Sequence, residues 1–459
     1  MAASSSSAVL SPPPLVEGDG HDAPNWILLD ILGYMCNHPN ATIAESLTST
    51  GELIQVSFYT ARPPQVSYFC VHCPNLGPAG FVVPPKVISA DSDLILFRVS
   101  VCPQVRFNPR YCDYFLYMAR PQKSLLRLLP HPHPNNFRDR EVALLSFGKD
   151  DEYAVAALTR RYHNTTPNKK EFNLYLYQFS KRQDGWASKV VSVTEPRRDK
   201  VCPSDGAPYH DTTKVIILGH GWVGWFDLWR GILACNVLEQ NLMLLDIPLP
   251  LPLIGNRRLY HKCCPNTVRD ITANVFKDTI KYIEIQNPWE KVVSPDHPTD
   301  SAVRQMKCRV PSRAWMATTW RRTIPIDPRE DWHEDCTFDV ANISIDPMHS
   351  ERLPRLRSTN NNPSEATLPA NLIGFPIMSM DDDIFYLLYM AYHTGQKDVV
   401  ISIDMRKNTL QGFAKLVTGK DFTFTRACTS EISKYFIKYE GTREASETNI
   451  RSYLEEFDQ

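Results

Sequence analysis

The chain has 459 residues, a formal net charge of −1 and 22% charged residues. This balance offers no clustered positive charge to nucleic acid or to an anionic membrane surface, so neither is expected as a partner. No apolar run approaches the roughly 18 residues that span a bilayer, and we expect a soluble protein. Proline outnumbers glycine 36 to 19, which favours many short strands because proline ends strands and fills loops.

The first segment, Met1–Pro24, lacks the basic stretch and long apolar core of a secretory signal. It also has no arginine and contains Glu17, Asp19 and Asp22, which argues against a plastid transit peptide. We therefore predict a disordered leader over residues 1–24 and a cytoplasmic and/or nuclear protein that is not secreted. In such a compartment the 12 cysteines are expected to be reduced and mostly buried.

After the leader, short apolar runs alternate with charged or proline-bearing turns. Leu53–Thr60 and Gln65–His72 are predicted strands joined across Arg62-Pro63-Pro64. Phe172–Phe179 alternates aromatic and polar residues, which is typical of an antiparallel strand. The polar segment Arg197–Asp211 follows, and it precedes the most distinctive stretch of the chain.

That stretch, Lys214–Pro250, contains four β-type runs joined by reversals of a few residues. Gly219 and Gly221 permit the first reversal, and Pro248 and the prolines after it end the pairing. A meander of four short strands is the unit of a propeller blade. The four runs are Lys214–Leu218, Trp222–Trp229, Gly231–Leu238 and Leu242–Ile247.

The second run carries Trp222, Trp225 and Trp229, which could form an aromatic binding platform. The favoured interpretation is that they pack between neighbouring sheets, since large aromatic side chains bury much apolar surface. Asp227 and Arg230 suggest a structural ion pair, or a polar pair at a strand end, rather than catalytic groups, because no third catalytic group is near them in sequence.

The strand pattern continues to residue 429 and is interrupted by the polar segment Met348–Pro369, which we expect to be a mobile loop. About two dozen runs over residues 25–429, at four strands per blade, predict an all-β, propeller-like body of about six blades. Two β-sandwich-like domains meeting near residue 200 are the alternative. Residues 430–459 form a predicted acidic C-terminal tail.

The sequence GWVGWFDLWRGILACNVL at residues 221–238, followed by VRDITAN at residues 268–274, resembles the plant family called domain of unknown function 1618. The resemblance covers about residues 222–372 and implies no assigned chemistry. It also implies a strand pattern similar to the plant F-box-associated and Kelch-like propellers, although residues 25–47 do not provide an F-box. The signature residues, interpreted as structural, are Gly221, Trp222, Trp225, Asp227, Leu228, Trp229, Arg230, Gly231, Arg269 and Asp270.

Motifs that could carry chemistry are incomplete. Cys70-Val71-His72-Cys73 has metal-ligand spacing, but a structural zinc site needs a second pair, and residues three apart on a strand point to opposite faces. Met380-Asp381-Asp382-Asp383 is interpreted as a solvated acidic turn. The basic pairs are likewise interpreted as solvated surface: Lys169-Lys170, Arg197-Arg198, Arg257-Arg258 and Arg321-Arg322.

The sequence therefore predicts no catalytic residue, metal or cofactor. The favoured function is a monomeric, non-catalytic scaffold whose loops bind a protein partner of unknown identity, because loops carry function on such folds. The alternative is an enzyme acting on a small molecule or glycan, with carboxylates and histidines from separate blades converging in the central channel.

Overall fold

The computed structural model describes most of the chain between residues 24 and 436. The described residues are 24–75, 83–100, 112–120, 122–132, 137–147, 151–161, 170–180, 183–202, 208–257, 259–260, 262–274, 278–286, 290–291, 308–309, 316–324, 327, 329–339, 343–346, 349, 373–380, 383–389, 399–416 and 427–436. Residues 1–23 of the predicted leader, most of the predicted loop at residues 348–369 and most of the predicted tail lie outside these residues.

The strands form six small sheets, which we call blades I to VI in chain order. Blade I contains β1 (Ile27–Asp30), β2 (Tyr34–Met35), β3 (Ala44–Leu47), β4 (Leu53–Tyr59) and β5 (Val66–His72). Blade II contains β6 (Lys86–Asp91), β7 (Leu94–Ser100), β8 (Cys112–Met118) and β9 (Leu125–Leu128). Blade III contains β10 (Val142–Ser146), β11 (Tyr153–Arg160), β12 (Glu171–Ser180) and β13 (Gln183–Ser192).

Blades IV to VI, like blades II and III, pair their neighbouring strands antiparallel, whereas β5 of blade I pairs in parallel with β1 and β2. Blade IV contains β14 (Lys214–Gly219), β15 (Trp222–Asp227), β16 (Gly231–Asn236) and β17 (Leu245–Pro248). Blade V contains β18 (Arg269–Asn274), β19 (Thr279–Gln286), β22 (Met316–Thr323) and β23 (His333–Asp339), with the hairpin β20 (Glu290–Lys291) and β21 (Cys308–Arg309) inserted after β19. Blade VI contains β24 (Ile373–Met378), β25 (Ile384–Tyr389), β26 (Val399–Asp404) and β27 (Thr409–Lys415).

The helices whose bounds the structure describes are short. Among them, the α-helical turn α1 spans Arg198–Val201, and 3₁₀ turns span Asp139–Glu141, Ile254–Asn256, Pro265–Thr267 and Ile432–Tyr435. Across the part of the chain that the structure describes, no helix is long and apolar enough to cross a membrane.

The last strand, β28 (Ala427–Ser430), closes the ring. It pairs antiparallel with β1, so the first and last of the described strands share blade I. Ser433 also donates a 2.7 Å hydrogen bond to the carbonyl of Pro24. The predicted body therefore continues beyond residue 429, because that boundary falls inside β28.

Each neighbouring pair of blades shares one apolar cluster. Blades I and II pack through Phe69 and Phe97, and blades II and III through Leu116 and Val155. The other four joints have the same character: III to IV through Leu158 and Trp225, IV to V through Phe226 and Tyr282, V to VI through Ile283 and Leu387, and VI to I through Tyr386 and Leu28. Because both faces of a blade are covered, whole strands such as β7 and β8 are buried throughout.

The predicted propeller of about six blades is thus confirmed, and the two-sandwich alternative is wrong. The innermost strands of successive blades contact one another around a central channel: β6, β10, β14, β18, β24 and β28. We call the end of the ring where these strands begin the entry face. Pro248 lies on β17, the outermost strand of blade IV, and pairs with Gly231 of β16. On an outermost strand the N–H that proline lacks costs no hydrogen bond of the sheet.

The expectation that all cysteines are reduced is contradicted at one place. Cys36 and Cys70 form a disulfide beside the β2–β5 pairing, with Cα atoms 5.6 Å apart. The other described cysteines whose side chains are placed are free, and four of them are buried: Cys73, Cys112, Cys202 and Cys235.

Candidate functional site

The central channel encloses a cavity of 660 Å³ lined mainly by the innermost strands. Most of its wall is apolar, with side chains such as Val87, Ile216, Ile377 and Leu416. Polar groups concentrate at the two ends. The volume lies within the roughly 300–1,000 Å³ of small-molecule sites.

Ion pairs cross between blades at the entry end of the channel. Lys86 Nζ of blade II lies 2.9 Å from Asp139 Oδ2, in the turn that precedes blade III. Lys214 Nζ of blade IV lies 2.7 Å from Asp270 Oδ1 of blade V, and Asp270 Oδ2 accepts the backbone N–H of Met378 in blade VI at 2.9 Å. Asp270, a signature residue, therefore connects three blades and lines the channel.

At the opposite end of the channel, the lining includes Asp91, which is the last residue of β6. Burial raises the pKa of its carboxyl to about 6, and the charge of Glu431 adds to the effect, against a 2.7 Å hydrogen bond from the N–H of Ser146. A carboxyl with such a pKa can exchange a proton near neutral pH.

The cavity lining does not bring a catalytic group of carboxylates and histidines together. Among the described residues that line it there is no histidine, and Asp139 and Asp270 are neutralised by lysines. Asp30 accepts hydrogen bonds from the N–H of Leu32 and the hydroxyl of Tyr34. The lining carboxylates named here therefore have structural partners.

The signature tryptophans lie in the joints on either side of blade IV. Trp225 is fully buried in the cluster shared with blade III, and its indole N–H donates to the carbonyl of Glu141 at 2.8 Å. Trp229 is 4% exposed and donates to the carbonyl of Cys263 at 3.0 Å, while Trp222 is half-buried against blade V. Trp225 and Trp229 are thus buried, and Trp222 packs at the edge of the cluster shared with blade V.

The signature glycines occupy close approaches. Gly221 has a φ of +84°, and a Cβ there would lie 2.5 Å from Asn236 Oδ1. A Cβ on Gly231 would lie 2.5 Å from the carbonyl oxygen of Ile247 in the neighbouring strand β17. Both positions exclude a side chain for steric reasons.

Asp227 and Arg230 do not form the ion pair that was one of the two expectations for them, and Asp227 lies at the end of β15. Asp227 accepts the backbone N–H groups of Asp211 and Trp229, each at 3.1 Å. Arg230, with a fully buried side chain, forms its ion pair with Asp199 and donates to the carbonyl oxygens of Cys202, Pro208 and Tyr209. The two residues instead fix the ends of the segment that enters blade IV.

Arg269 acts on the segment that leaves blade IV indirectly, through its buried partner Glu284. Its guanidinium donates to the carbonyl of Leu228 at 2.7 Å and pairs with Glu284 at 2.8 Å, with both side chains fully buried. Glu284 in turn accepts the backbone N–H of Leu253 and the side-chain amide of Asn256. Leu228 itself is fully buried between blades IV and V.

A third buried arginine was not predicted from the sequence. Arg198 was interpreted as solvated surface, but its side chain is fully buried and lies 2.6 Å from Asp246. Tyr209 donates to the same carboxylate at 2.5 Å, and His210 Nδ1 lies 2.7 Å from Arg198. Burial and the charges of Arg198 and Arg230 hold the pKa of His210 well below its usual range, so this imidazole stays neutral.

The other candidates from the sequence lie apart from this face and channel. Cys73 is buried in the joint with blade II, where burial raises the pKa of its thiol to about 12, whereas Cys70 lies on the opposite face of β5. Arg322, another predicted surface residue, is 3% exposed, which corrects that expectation. Asp383 pairs with Lys281 and Arg406, and residues 381 and 382 lie outside the described residues.

The molecule is therefore a six-bladed β-propeller whose sequence signature fixes the loops of one face. Residues 225–386 match the model of the family described as protein of unknown function (DUF1618), which confirms the resemblance for that segment. The matched segment begins inside β15 and ends inside β25. It therefore spans parts of three blades.

No curated protein sequence matches the chain. Among solved structures, a polysaccharide lyase, Uly1, aligns with a TM-score of 0.30 and 9% identity over 87% of this chain and 91% of that one. MPT-4, a mannose phosphorylase from Leishmania mexicana in complex with phosphate ion, aligns with a TM-score of 0.23 and 9% identity over 84% of this chain and 92% of that one. At these scores neither likeness supports a statement about function.

Proposed function

We propose that this protein is a non-catalytic binding protein whose entry face, beside blade IV, holds another protein. The observation that carries the proposal is a contrast within two loops, the described parts of residues 193–213 and 249–268. Fully buried Arg198 and Arg230 fix the loop before blade IV, and Glu284, the buried partner of Arg269, fixes the loop after it, yet both loops expose large apolar side chains to solvent.

The exposed side chains belong to both loops. Ile254 is 78% exposed and Leu251 is 51% exposed on the loop that leaves blade IV, and Val201 at the end of α1 is 40% exposed. Hydrogen bonds from Leu253 and Asn256 to Glu284 anchor the loop that leaves blade IV. Leu253 lies between Leu251 and Ile254 in sequence, and Asn256 follows Ile254 by two residues. Single exposed apolar residues are common on protein surfaces, so the anchoring is the informative part.

A loop that is already ordered loses less conformational entropy when it binds. Ordering an interface costs roughly 0.5–1.5 kcal/mol for each immobilised side chain, and a pre-organised surface avoids part of that cost. Buried arginines are an expensive way to hold a loop, because each must be neutralised and hydrogen-bonded. An apolar surface on a partner protein would gain from the rigid presentation of Leu251 and Ile254.

The test is quantitative affinity purification of the full chain from its native source, with mass spectrometry. The double variant Leu251→Ser, Ile254→Ser is compared with Met243→Ser, which alters a 57% exposed side chain on the loop between β16 and β17 at the opposite face. We expect a stoichiometric partner that is retained by Met243→Ser and lost from the double variant. A partner unaffected by the double variant, or no reproducible partner, would contradict the proposal.

The central cavity favours a second candidate, a small polar molecule bound in the channel. Its support is the 660 Å³ volume together with Asp91, whose raised pKa would allow proton transfer to a ligand near neutral pH. This candidate includes the enzymatic alternative. It predicts that a metabolite or oligosaccharide screened by thermal shift stabilises the protein, and that Asp91→Asn abolishes the shift while Leu251→Ser, Ile254→Ser preserves it.

A further inference from the structure

Cys36, His38 and Cys70 bring three metal-ligating atoms together beside β5. One donor atom from each residue lies within 4.8 Å of the other two. Cys70 is 2% exposed, Cys36 is half-buried and His38 is exposed. A disulfide needs only the two sulfurs, so the position of the imidazole is the feature that the Cys36–Cys70 bond does not explain.

The segment that carries His38 is held in place. The hydroxyl of Tyr59 donates to the carbonyl of His38. Two residues later, Asn40 donates from its side chain to the carbonyl of Phe58 at 2.9 Å and accepts the N–H of Thr42 at 2.9 Å. The contacts with Tyr59 and Phe58 tie residues 38–42 to β4, so the imidazole is attached to an ordered backbone.

We propose that Cys36, His38 and Cys70 bind a Zn²⁺-type ion when the two cysteines are reduced, with the fourth position open to water or another ligand. Two thiolates and one neutral imidazole form a ligand set that suits zinc. Their two negative charges balance the divalent cation, so the loaded site is neutral. A neutral site is compatible with the partly buried surroundings of Cys70, because burial of net charge is costly.

Aromatic side chains shield the site on the protein side. Tyr34, Tyr68 and Cys70 share one buried cluster, against which Cys36 and Tyr59 pack. The rings of Tyr59 and Tyr68 are stacked with centroids 4.7 Å apart. Exposed His38 leaves the other side open, which provides a route for the ion to enter.

Loading requires small movements only. Zinc–sulfur bonds of about 2.3 Å and zinc–nitrogen bonds of about 2.0 Å place tetrahedral sulfurs about 3.8 Å apart and sulfur and nitrogen about 3.5 Å apart. Reduction by a dithiol transfers two electrons and two protons to the Cys36–Cys70 bond and gives two thiols, while the dithiol closes to its own disulfide. Zn²⁺ then replaces the two thiol protons, which are released to solvent.

The experiment titrates Co²⁺, and then competing Zn²⁺, into the tag-free, full-length protein after anaerobic reduction and removal of the reductant. A sulfur-to-cobalt charge-transfer band together with the visible bands of tetrahedral Co²⁺ reports thiolate coordination. His38→Ala leaves both cysteines in place, and His72→Ala is its matched control, since His72 lies on the same face of β5 as Cys70 but outside the three-residue cluster. Cys264→Ser, which removes an exposed free thiol, controls for adventitious binding.

We expect one equivalent of Co²⁺ with thiolate bands in the reduced protein and none in the oxidised protein. Zn²⁺ should displace the cobalt. Loss of a residue that only hydrogen-bonds to a metal ligand already weakens metal affinity by about tenfold or more, so His38→Ala should weaken Co²⁺ affinity by at least that factor. His72→Ala and Cys264→Ser should bind Co²⁺ with unchanged affinity. Absence of thiolate bands, equal affinity in His38→Ala and His72→Ala, or unchanged bands in a folded Cys36→Ser variant would each overturn the proposal.

Discussion

Glu284 is the point at which the sequence signature and the loop leaving blade IV are joined. Its carboxylate accepts four hydrogen bonds: from Arg269 at 2.8 Å, Asn256 at 2.8 Å, the N–H of Leu253 at 3.0 Å and the hydroxyl of Tyr282 at 3.2 Å. Both members of the Arg269–Glu284 pair are fully buried. Loss of the carboxylate charge should therefore be far more damaging than loss of a surface ion pair.

The substitution Glu284→Gln preserves the size of the side chain but leaves the Arg269 charge buried without a counter-charge. Breaking a buried pair in this way costs about 3–5 kcal/mol. With an unfolding entropy of roughly 2.1 cal/mol/K per residue, that loss corresponds to a decrease of about 3–5 °C in Tm for a chain of this size. The matched control is Lys407→Met, which removes an exposed partner of Asp404 and should cost less than about 0.5 kcal/mol.

Denaturant unfolding followed by tryptophan fluorescence measures the effect, with m-values compared so that a change in Cm can be converted to free energy. The double variant Arg269→Met, Glu284→Gln should lose less stability than the sum of the two single variants, because it removes both charges together. A loss below about 1 kcal/mol for Glu284→Gln, or strictly additive single losses, would refute the assignment of this pair as the anchor of the loop.

Two further predictions concern the backbone and the channel. Gly221→Ala should destabilise the fold by about 2–3 kcal/mol, because the φ of Gly221 is +84° and the added Cβ would lie 2.5 Å from Asn236 Oδ1. The control Gly51→Ala has a similar φ of +82° but open space around the added Cβ, so it should cost about 1 kcal/mol. Equal decreases of Cm in the two variants would contradict the steric argument. Asp91 has a pKa raised to about 6 by burial, so its ionised form penalises the fold above about pH 6, and this penalty disappears as pH falls through the unfolded value near 3.8. Asp91→Asn, which can still accept the N–H of Ser146, should therefore be more stable than wild type at pH 7, on the order of 2 kcal/mol, and should lose this advantage by pH 4; a pH-independent difference in unfolding free energy would count against it.

The repeated part of this fold could be predicted because the information is local. In Lys214–Pro250, four apolar runs, paired glycines and closing prolines are enough to indicate one four-stranded blade, and similar runs elsewhere set the number of blades. The fourth run was predicted as Leu242–Ile247, whereas β17 spans Leu245–Pro248, so the strand exists but its bounds differ. The strand includes Pro248 because proline is tolerated on an outermost strand.

The ion pairs at the entry face could not be predicted, because they join residues that are distant in sequence. Arg198 meets Asp246 across 48 positions, and a pair of adjacent arginines in a polar segment gives no local sign of burial. Cys36 and Cys70 are likewise 34 residues apart and meet only because β2 aligns with β5. Such contacts follow from the three-dimensional arrangement of the strands rather than from any pattern along them.

The position of the signature gives its residues a structural task that accounts for a recognisable sequence pattern. Leu228 is buried between blades IV and V, and Arg230 donates to backbone carbonyls of the segment before blade IV. Arg269 donates to the carbonyls of Leu228 and Trp229 in the turn between β15 and β16, and its partner Glu284 accepts the backbone N–H of Leu253 in the segment after blade IV. Backbone acceptors do not depend on the identity of the residue that carries them, so the loops can change in sequence while the same arginines hold them. A propeller that keeps such anchors can vary the exposed residues of its entry face, here Leu251 and Ile254, without rebuilding the joint beneath them.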